Sequence, residues 1–391
     1  MSNKNSYPKS DKVLIICPFA RPNLGGVETH LDKLMNFLAK KEIFSYLLTY
    51  QPLTTNAKGE RVEKGEYWEI HRVSWFGRGW FNKLEKYFPL VFLYLFPGLF
   101  IKSLSFYLKH HREIDCIHAH GFAAAMIVKI LAAIYPVRIV ISTHAVYEFN
   151  GRPLLAKIMR WVLASFDQIL AVSEVSRKEL IKIGLDSKKI KVHPNWIDLE
   201  QFSSLGREVC KKRLGLSGKT VLFVGRMIEK KGAGFLLKAA TKLKDVSFVF
   251  VGSGPMEEEI NTASKDHKNI IYVGPLNQDN PEELKKLIEL YSAADLFACI
   301  PTYPEGFGAV YLEAVACGTP VLSSNLGSLP TFLDNSVSVL IDPRQSKVER
   351  AISKLFKSGR ELKKLQLNCR AYAEKHFSDK NAQTILDSYN L

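Results

Sequence analysis

Two glutamates eight positions apart mark the stretch of this chain whose residue types are best suited to chemistry. Glu305 and Glu313 lie in PEGFGAVYLEA, which follows an apolar run (295–300) and precedes Gly318. This order predicts a strand, a loop and a short helix. A helix that begins near Gly308 places the two carboxylates roughly 10 Å apart, because each residue adds ~1.5 Å of rise. The spacing suits a ligand with hydroxyl groups at both ends and phosphates between them, as in a nucleotide sugar. One acid at a helix N-terminus and one solvated acid would give the same pattern.

Two further turns carry residue types that can bind phosphate. Gly25 and Gly26 follow the first apolar run and open the first predicted helix, and Arg226 and Lys231 occupy the equivalent turn in the second half. Glycine allows backbone N–H groups to approach a phosphate at a helix N-terminus. Two cations can neutralise a diphosphate and stabilise it as a leaving group. Taken alone, each turn is also compatible with a solvated loop.

Three histidines end two other apolar runs. His144 ends RIVISTH, and His118 and His120 belong to IDCIHAH. We interpret His144 as a hydrogen-bonding group that faces the substrate, whereas His118 suits a packed position at least as well as a functional one. The three histidines lack an accompanying acidic ligand pattern. The chain also contains no Asp-x-Asp pair to clamp a metal-bound diphosphate. The sequence therefore predicts no metal and no cofactor.

Short apolar runs alternate with helical segments in both halves of the chain. This alternation predicts parallel sheets covered by helices on both faces, and thus an α/β protein with two doubly wound, Rossmann-like domains. Ligands of such sheets bind beyond the carboxyl ends of the strands, so we expect the candidate residues to face a central cleft. The predicted strands are 13–19, 46–49, 115–118, 138–142, 168–172, 221–227, 247–255, 270–276, 295–300 and 320–324.

The predicted domain boundaries follow from the same alternation. Residues 1–195 form an N-terminal domain, and 196–370 form a C-terminal domain. We expect the remaining segment, 371–391, to be an amphipathic helix that packs back on the first domain.

Charge is unevenly distributed over the 391 residues. The net charge is +15, and residues 1–195 contribute +12 of it, from 28 basic and 16 acidic side chains. A basic N-terminal half predicts an anionic partner such as a lipid surface, a nucleic acid or an acidic substrate. No basic motif with interleaved aromatic residues is present, which argues against nucleic acid. The six scattered cysteines and a polar N-terminus without an apolar core favour a reducing, cytoplasmic location.

One segment bears on the nature of that anionic partner. Residues 87–108 are almost wholly apolar and are followed by basic residues, but Pro89, Pro97, Gly98 and Lys102 interrupt them. We predict two shorter helical pieces, partly in the core, and attachment to the inner face of a membrane in preference to a span across it.

Several motifs in a fixed order closely resemble glycosyltransferase family 4, whose members are retaining enzymes with the GT-B fold. The resemblance runs almost from end to end. The motifs are GGVETH (25–30), IHAHG (117–121), STH ending at residue 144, AVSEVSRKEL (171–180), HPNWID (193–198), VGRMIEKKG (224–232) and PEGFGAVYLEAVACGTPV (304–321). The usual glycine of the HPNWID region is Trp196 here, which leaves the choice of donor open.

The resemblance implies a role for each candidate residue. The backbone at Gly25 and Gly26 would contact the donor diphosphate and the transferred sugar, and His144 and Glu305 would bind that sugar. Further implied donor contacts are Arg226 and Lys231 to the diphosphate, the backbone of Phe307, Gly308 and Ala309 to sugar or phosphate, and Glu313 to the ribose. The family needs no metal, and its diphosphate leaving group is described as assisting deprotonation of the acceptor.

The sequence thus predicts a transferase that moves a hexose-type sugar from a UDP- or GDP-sugar to a hydroxyl acceptor, with retention. A lipid-linked or surface-glycan precursor is the expected acceptor. Two alternatives stay open: a nucleotide-sugar 2-epimerase on the same architecture, and a non-catalytic protein that binds sugar nucleotides.

Overall fold

The structure, a computed structural model, describes residues 11–391 apart from 24, 56, 78–79, 85–86, 145–148 and 150, with the backbone alone of 82 and 88. The polar N-terminus on which the cytoplasmic prediction partly depends lies mostly outside these residues. The chain divides into two compact units. The first consists of Met1–Asn195 with Asn381–Leu391, and the second of Trp196–Lys380.

The first unit is built on an eight-stranded sheet. Its strands are β1 (Lys12–Ile16), β2 (Phe44–Tyr50), β3 (Val62–Lys64), β4 (Trp68–Val73), β5 (Cys116–His120), β6 (Arg138–Thr143), β7 (Gln168–Ala171) and β8 (Ile190–Val192). Their order in the sheet is β3-β4-β2-β1-β5-β6-β7-β8. The chain order reverses between β1 and β5, which makes the carboxyl ends of these two strands the expected ligand-binding point.

Helices cover this sheet. They are α1 (Gly26–Lys40), α2 (Trp80–Leu84), α3 (Phe88–His110), α4 (Phe122–Ile134), α5 (Pro153–Leu163) and α6 (Glu174–Lys182). Because helices shield both faces, strands such as β1 and β5 are buried along nearly their whole length. The edge strand β3 pairs antiparallel with β4, so the prediction of a wholly parallel sheet is wrong at this edge.

The second unit contains a six-stranded, all-parallel sheet in the order β11-β10-β9-β12-β13-β14. The strands are β9 (Lys219–Val224), β10 (Val246–Val251), β11 (Ile270–Gly274), β12 (Leu296–Ala298), β13 (Val321–Ser324) and β14 (Ser338–Ile341). The helices are α7 (Arg207–Leu214), α8 (Ala233–Lys242), α9 (Glu257–Asp266), α10 (Pro281–Ala293), α11 (Ala309–Ala316), α12 (Leu329–Phe332), α13 (Gln345–Lys357) and α14 (Gly359–His376). Here the chain order reverses between β9 and β12.

The C-terminal segment is divided differently from the prediction. Helix α14 belongs to the second unit, where Leu362, Leu365, Cys369 and Ala373 enter the core. The first unit is rejoined only at Asn381, so the predicted boundary at residue 371 is ten residues too early. The last helix, α15 (Lys380–Tyr389), is fixed within the first unit by polar contacts. The Tyr389 hydroxyl lies 2.8 Å from Nδ1 of His118, and Arg138 donates to the Ser388 carbonyl.

The apolar segment 87–108 forms one helix, α3, and the prediction of two shorter pieces is wrong. Pro97 cannot donate a backbone hydrogen bond and would ordinarily break the helix. The hydroxyl of Tyr50, on β2, bridges the helix beside this proline: it donates to the Leu95 carbonyl and accepts from the N–H of Leu99, each at 2.7 Å. A side chain from another element therefore pairs with backbone groups on both sides of Pro97.

Candidate active site

The chemistry-bearing loop of the second unit is located as the sequence predicts. It leaves β12 and enters α11, which begins at Ala309 with Gly308 as its N-cap. Glu305 lies in this loop and is 8% exposed. Its carboxylate contacts the Lys231 ammonium, and its Oε2 accepts a hydrogen bond of 3.1 Å from the Tyr311 hydroxyl. The Glu305 side chain is therefore held between a cation and a neutral donor.

A glycine with a positive φ packs closely against the backbone of Glu305. Gly327 has a φ of 61°, and a Cβ there would lie 2.6 Å from the backbone nitrogen of Glu305. The N–H of Ser328 donates to the Glu305 carbonyl at 3.0 Å. Any side chain at residue 327 would displace the Glu305 loop, because backbone atoms cannot move aside as a flexible side chain can.

Lys231 reaches Glu305 because the backbone of the Lys231 turn packs closely against Ile300, just after β12. The turn Glu229–Lys231 ends at Gly232, where φ is 81° and a Cβ would lie 2.4 Å from the Ile300 carbonyl oxygen. The N–H of Ile300 donates back to the Lys231 carbonyl at 3.1 Å. Burial alone would lower the pKa of Lys231, but the Glu305 carboxylate outweighs burial and raises it. Lys231 is therefore a permanent cation.

Glu313 lies on α11 and is almost completely buried, at 1% exposed. The hydroxyl of Tyr291, from α10, donates to its Oε2 at 2.8 Å, and the Gln278 amide donates to Oε1 at 3.4 Å. Burial and the neighbouring carboxylate raise the pKa of Tyr291 well above its usual value, so this donor keeps its proton. The long bond to Gln278 leaves Oε1 as the atom that a ligand hydroxyl could engage.

The other predicted donor residues lie around the same loop. Phe307 stacks on Phe332 with ring centroids 4.1 Å apart, which holds the backbone that leads into Gly308 and Ala309. The first N–H groups of α11 have no acceptor within the helix and form an anion-binding end. Arg226 follows β9 and is exposed, and it makes no ion pair among the described residues. Within this unit the structure brings Lys231 to Glu305 but leaves Arg226 in solvent.

In the first unit, the predicted glycines lie where α1 begins. Gly25 is its N-cap and Gly26 its first residue, and both are exposed. Glu28, in the first turn of α1, is buried, and burial raises the pKa of its carboxyl group. A backbone end of this kind offers N–H groups to an anion.

His144 follows β6 and is part of a cluster of five imidazoles, which we call the histidine cluster. Nε2 of His144 lies 2.8 Å from Nδ1 of His120. Burial lowers the pKa of all five imidazoles, to about 4 for His144 and about 3 for His193. At neutral pH they are therefore uncharged and act as hydrogen-bond donors and acceptors. The members are His30, His118, His120, His144 and His193.

His118 occupies a packed position in this cluster. It is fully buried, and its nitrogens lie 2.8 Å from the Tyr389 hydroxyl and 2.9 Å from the Ser142 hydroxyl. Both ring nitrogens are thus committed to the protein. Of the two interpretations that the sequence left open, the structure supports the structural one.

Sequence reasoning missed three side chains that the structure adds to the sites. His30 lies five residues after Gly25 in GGVETH, and its burial on α1 with Leu31 and Leu34 follows the helical period that a sequence inspection could have used. Tyr311 and Tyr291 hold the two glutamates. Tyr311 is six residues beyond Glu305 in the same motif, but no local signal links Tyr291 to Glu313.

Comparison with known proteins agrees with this organisation. The model of Glycosyltransferase Family 4 matches residues 24–201, and that of Glycosyl transferases group 1 matches residues 208–376. Together they cover the candidate residues of both units. The chain belongs to glycosyltransferase family 4.

The individual relatives are less than 30% identical to this chain. D-inositol 3-phosphate glycosyltransferase of Mycolicibacterium smegmatis is 29% identical over 245 residues, which are 58% of this chain and 56% of that protein. The phosphatidylinositol N-acetylglucosaminyltransferase GPI3 subunit of Saccharomyces cerevisiae is 24% identical over 345 residues, covering 84% of this chain and 71% of that one. The chain spans only about half the length of the mycobacterial relative.

Solved structures of glycosyltransferases share the fold. Sucrose-phosphate synthase from Thermosynechococcus elongatus superimposes with a TM-score of 0.80 at 19% identity, covering 97% of this chain and 98% of that one. Anabaena HepE in complex with UDP-glucose gives a TM-score of 0.74 at 19% identity, covering 97% and 99%. The predicted family and the GT-B fold, with a Rossmann-like sheet in each unit, are confirmed.

Proposed function

We propose that this family 4 member is a glycosyltransferase that moves a hexose-type sugar from a UDP- or GDP-sugar to a hydroxyl acceptor, with retention at the anomeric carbon. The observation that carries the proposal is the set of contacts at the carboxyl edge of the second unit's sheet. Glu305 is held by Lys231 and Tyr311, and Glu313 by Tyr291. A half-buried cation and two fixed carboxylates match the diphosphate and the hydroxyl groups of such a donor.

Donor binding would proceed by rearrangement of the Lys231–Glu305 ion pair. A diphosphate beside Lys231 competes with Glu305 for the ammonium group, and the carboxylate is then available to accept hydrogen bonds from sugar hydroxyls. Arg226, which is exposed, can fold onto the same diphosphate. Backbone N–H groups at Phe307, Gly308 and Ala309 would contact sugar or phosphate, and Glu313 would bind the ribose through Oε1. The complexes of HepE with UDP and UDP-glucose support a donor of this class.

Transfer needs stabilisation of the departing diphosphate and removal of the acceptor proton. Lys231 would supply positive charge for the leaving group, and Arg226 would add to it after folding onto the diphosphate. We therefore propose that transfer proceeds without a metal or other cofactor. His144, uncharged at neutral pH, would hydrogen-bond the sugar, and the backbone at Gly25 and Gly26 would contact diphosphate and sugar. In the retaining reaction the departing diphosphate oxygen would accept the acceptor proton, so no enzyme nucleophile is required.

A nucleotide-release assay tests the proposed activity. The full chain is incubated with a panel of UDP- and GDP-sugars, with and without lipid acceptors and in the presence of EDTA, and free UDP or GDP is measured. We expect Glu305→Gln to lower acceptor-dependent release at least ~100-fold. Glu349→Gln is the matched control, because Glu349 also pairs with a lysine, Lys242, but on the surface. Full turnover by Glu305→Gln would overturn the site, and an isomerised donor formed without acceptor would indicate an epimerase.

We propose a lipid-linked or surface-glycan precursor as the acceptor, with the enzyme attached peripherally to the cytoplasmic face of a membrane. The structure contains one described helix that is long and apolar enough to cross a bilayer, within residues Pro89–Glu113. However, one face of α3 packs on the sheet through Tyr94, Leu95, Leu99 and Phe106. A helix that forms part of a core in this way is better suited to lie against a membrane than to cross it.

The opposite face of α3 carries an exposed apolar stripe. Leu93 and Ile101 are 64% and 65% exposed, and Leu90 and Leu108 extend the same stripe. Helix α5 carries a second stripe: Leu154, Ile158 and Trp161. Lysines and arginines accompany both stripes, including Lys102 and Lys109 on α3 and Lys157 and Arg160 on α5. Apolar insertion and attraction to anionic headgroups can act together on such a surface. The name of the phosphatidylinositol-directed yeast relative supports a lipid acceptor.

Vesicle sedimentation tests the membrane proposal. We expect the full chain to bind vesicles that contain anionic lipid at low salt, and the double variant Leu93→Ser/Ile101→Ser to bind at least ~10-fold more weakly. Leu367→Ser in the second unit is the matched control, since Leu367 is 73% exposed but lies outside both stripes. Equal binding by all three proteins, or none by the wild type, would overturn the proposal. A cytoplasmic location is also supported by the six cysteines, all buried as free thiols.

A further inference from the structure

The histidine cluster contains a set of nitrogens whose geometry the proposed transfer does not explain. One ring nitrogen from each of His30, His120 and His144 lies within 4.8 Å of the other two. The three residues come from different elements, namely helix α1 and the ends of strands β5 and β6. We propose that these three imidazoles form a binding site for a divalent transition-metal ion of the Zn²⁺ class, and that the bound ion inhibits the enzyme by occupying His144.

The spacing of the three rings fits such an ion. Their centroids are 4.9 Å apart for His30 and His144, 5.1 Å for His120 and His144, and 5.6 Å for His30 and His120. Two imidazoles on one tetrahedral Zn²⁺ have centroids roughly 5 Å apart, given Zn–N distances of ~2.0–2.1 Å. The rings are thus already separated as three ligands of one ion would be.

Hydrogen bonding orients His30 for this role. Its Nδ1 lies 2.9 Å from Oδ1 of Asn195. A carboxamide oxygen only accepts, so Nδ1 carries the ring hydrogen and Nε2 keeps its lone pair. Histidines that bind metals are commonly fixed in this way through their second nitrogen.

His120 offers its Nδ1 as the second ligand atom. It is 1% exposed, and its Nε2 has no hydrogen-bond partner among the described residues. Its Nδ1 shares a hydrogen with Nε2 of His144, 2.8 Å away. A tetrahedral ion holds two ligand nitrogens roughly 3.3 Å apart. A shift of about half an ångström would therefore let the ion replace the shared hydrogen. That hydrogen would move to the other nitrogen of the ring that carried it, so that each imidazole stays neutral.

The ligand set determines the class of ion. Three imidazole nitrogens favour Zn²⁺, Ni²⁺, Co²⁺ or Cu²⁺, whereas Mg²⁺ and Ca²⁺ require oxygen ligands. Three protein ligands also leave a fourth position for water. Binding itself does not depend on the proposed function. Inhibition does, because it follows from the loss of His144 as a sugar contact.

Cobalt titration of the tag-free full chain, stripped of metal, tests the site without reference to activity. We expect one Co²⁺ per chain, with visible absorption bands typical of a tetrahedral nitrogen-bound ion, which Zn²⁺ displaces and Mg²⁺ does not. His30→Gln and His120→Gln should each weaken binding by at least ~10-fold. The matched control, His111→Gln, removes a histidine of the same unit outside the cluster and should bind as the wild type does.

Two results would overturn the site: absence of the tetrahedral cobalt spectrum in the wild type, or unchanged affinity in both cluster variants. Circular dichroism checks that the variants are folded. If His120→Gln fails to fold, the Co²⁺ affinity of His30→Gln and the cobalt spectrum of the wild type test the site. In a separate assay, Zn²⁺ should inhibit nucleotide release by the wild type. If no donor is turned over but one Co²⁺ still binds, the proposed function fails and the metal site stands.

Discussion

The carboxyl edges of the two sheets present opposite chemistries on the same architecture. In the second unit, Lys231, Glu305 and Glu313 are charged groups held by specific partners. In the first unit, the histidine cluster consists of imidazoles that burial keeps neutral. Under the proposed function, the charged groups of the second unit would meet the diphosphate and the hydroxyl groups of the donor, and the neutral imidazole of His144 would meet the transferred sugar. Four perturbations test whether the two units differ in this way.

Removing the cation should have the largest effect. Lys231→Ala leaves Glu305 without its cation and the diphosphate without the positive charge beside it. We expect kcat to fall ~100- to 1,000-fold, or about 3–4 kcal/mol of transition-state stabilisation. Lys242→Ala removes the surface lysine of an equivalent ion pair and should leave kcat unchanged. A loss below tenfold for Lys231→Ala would show that charge at this position does not stabilise the leaving group.

Acid should destabilise the first unit before the second. His193 is 3% exposed and has a pKa of about 3 in the folded protein, against ~6.5 in an unfolded chain. Below pH 6.5 the unfolded chain therefore binds a proton that the folded chain does not, and stability falls as pH falls towards 3. For one such histidine the free energy of unfolding should be about 2 kcal/mol lower at pH 5 than at pH 7.

Hydrogen exchange, corrected for the intrinsic rate and measured with EDTA present, separates the two units. Protection in β5 and β6 should decrease between pH 7 and pH 5 more than protection in β9 and β10. His193→Gln should reduce the difference. Equal loss of protection in both sheets would contradict the idea that neutral imidazoles distinguish the first unit.

The hydroxyl that holds Glu305 should matter less than the cation. Tyr311→Phe removes one hydrogen bond to a carboxylate but leaves Lys231 in place. We expect kcat/KM to fall about tenfold, near the lower end of the ~1.5–3 kcal/mol typical for a hydrogen bond to a charged group. Tyr272→Phe removes a similar bond, to Glu257, away from the site and is the control. Equal kcat/KM for the two variants would exclude a positioning role for Tyr311.

The smallest effect is expected at Tyr291. Tyr291→Phe removes the donor to Oε2 of Glu313 but leaves the Gln278 amide near Oε1. If Glu313 binds the ribose, the KM for the donor should rise about fivefold, or ~1 kcal/mol, with little change in kcat. A lower kcat with an unchanged KM would assign Glu313 to the reacting end of the donor and remove the distinction between the two glutamates.

Much of the fold could be predicted because parallel sheets leave strong local signals. The buried strands β1, β9 and β10 are largely apolar runs, and glycines occur in the turns that follow them. The sequence analysis did not predict strands β3, β4, β8 and β14, since short or partly exposed strands lack such runs. The sequence predicts two helical pieces in place of α3 because the rule that proline breaks helices considers only neighbouring residues. The inserted Tyr50 hydroxyl that overrides it comes from 45 residues away.

Local sequence patterns are enough to identify the family, the two Rossmann-like sheets and the candidate residues that lie in ordered motifs, because each strand–turn–helix unit is encoded over a short stretch. Which of these groups come into contact depends on the tertiary fold. Lys231 and Glu305 are 74 residues apart, and the histidine cluster draws on α1, β5 and β6. Such contacts depend on strand order and on close backbone approaches at Gly232 and Gly327. No pattern within a single motif contains that information.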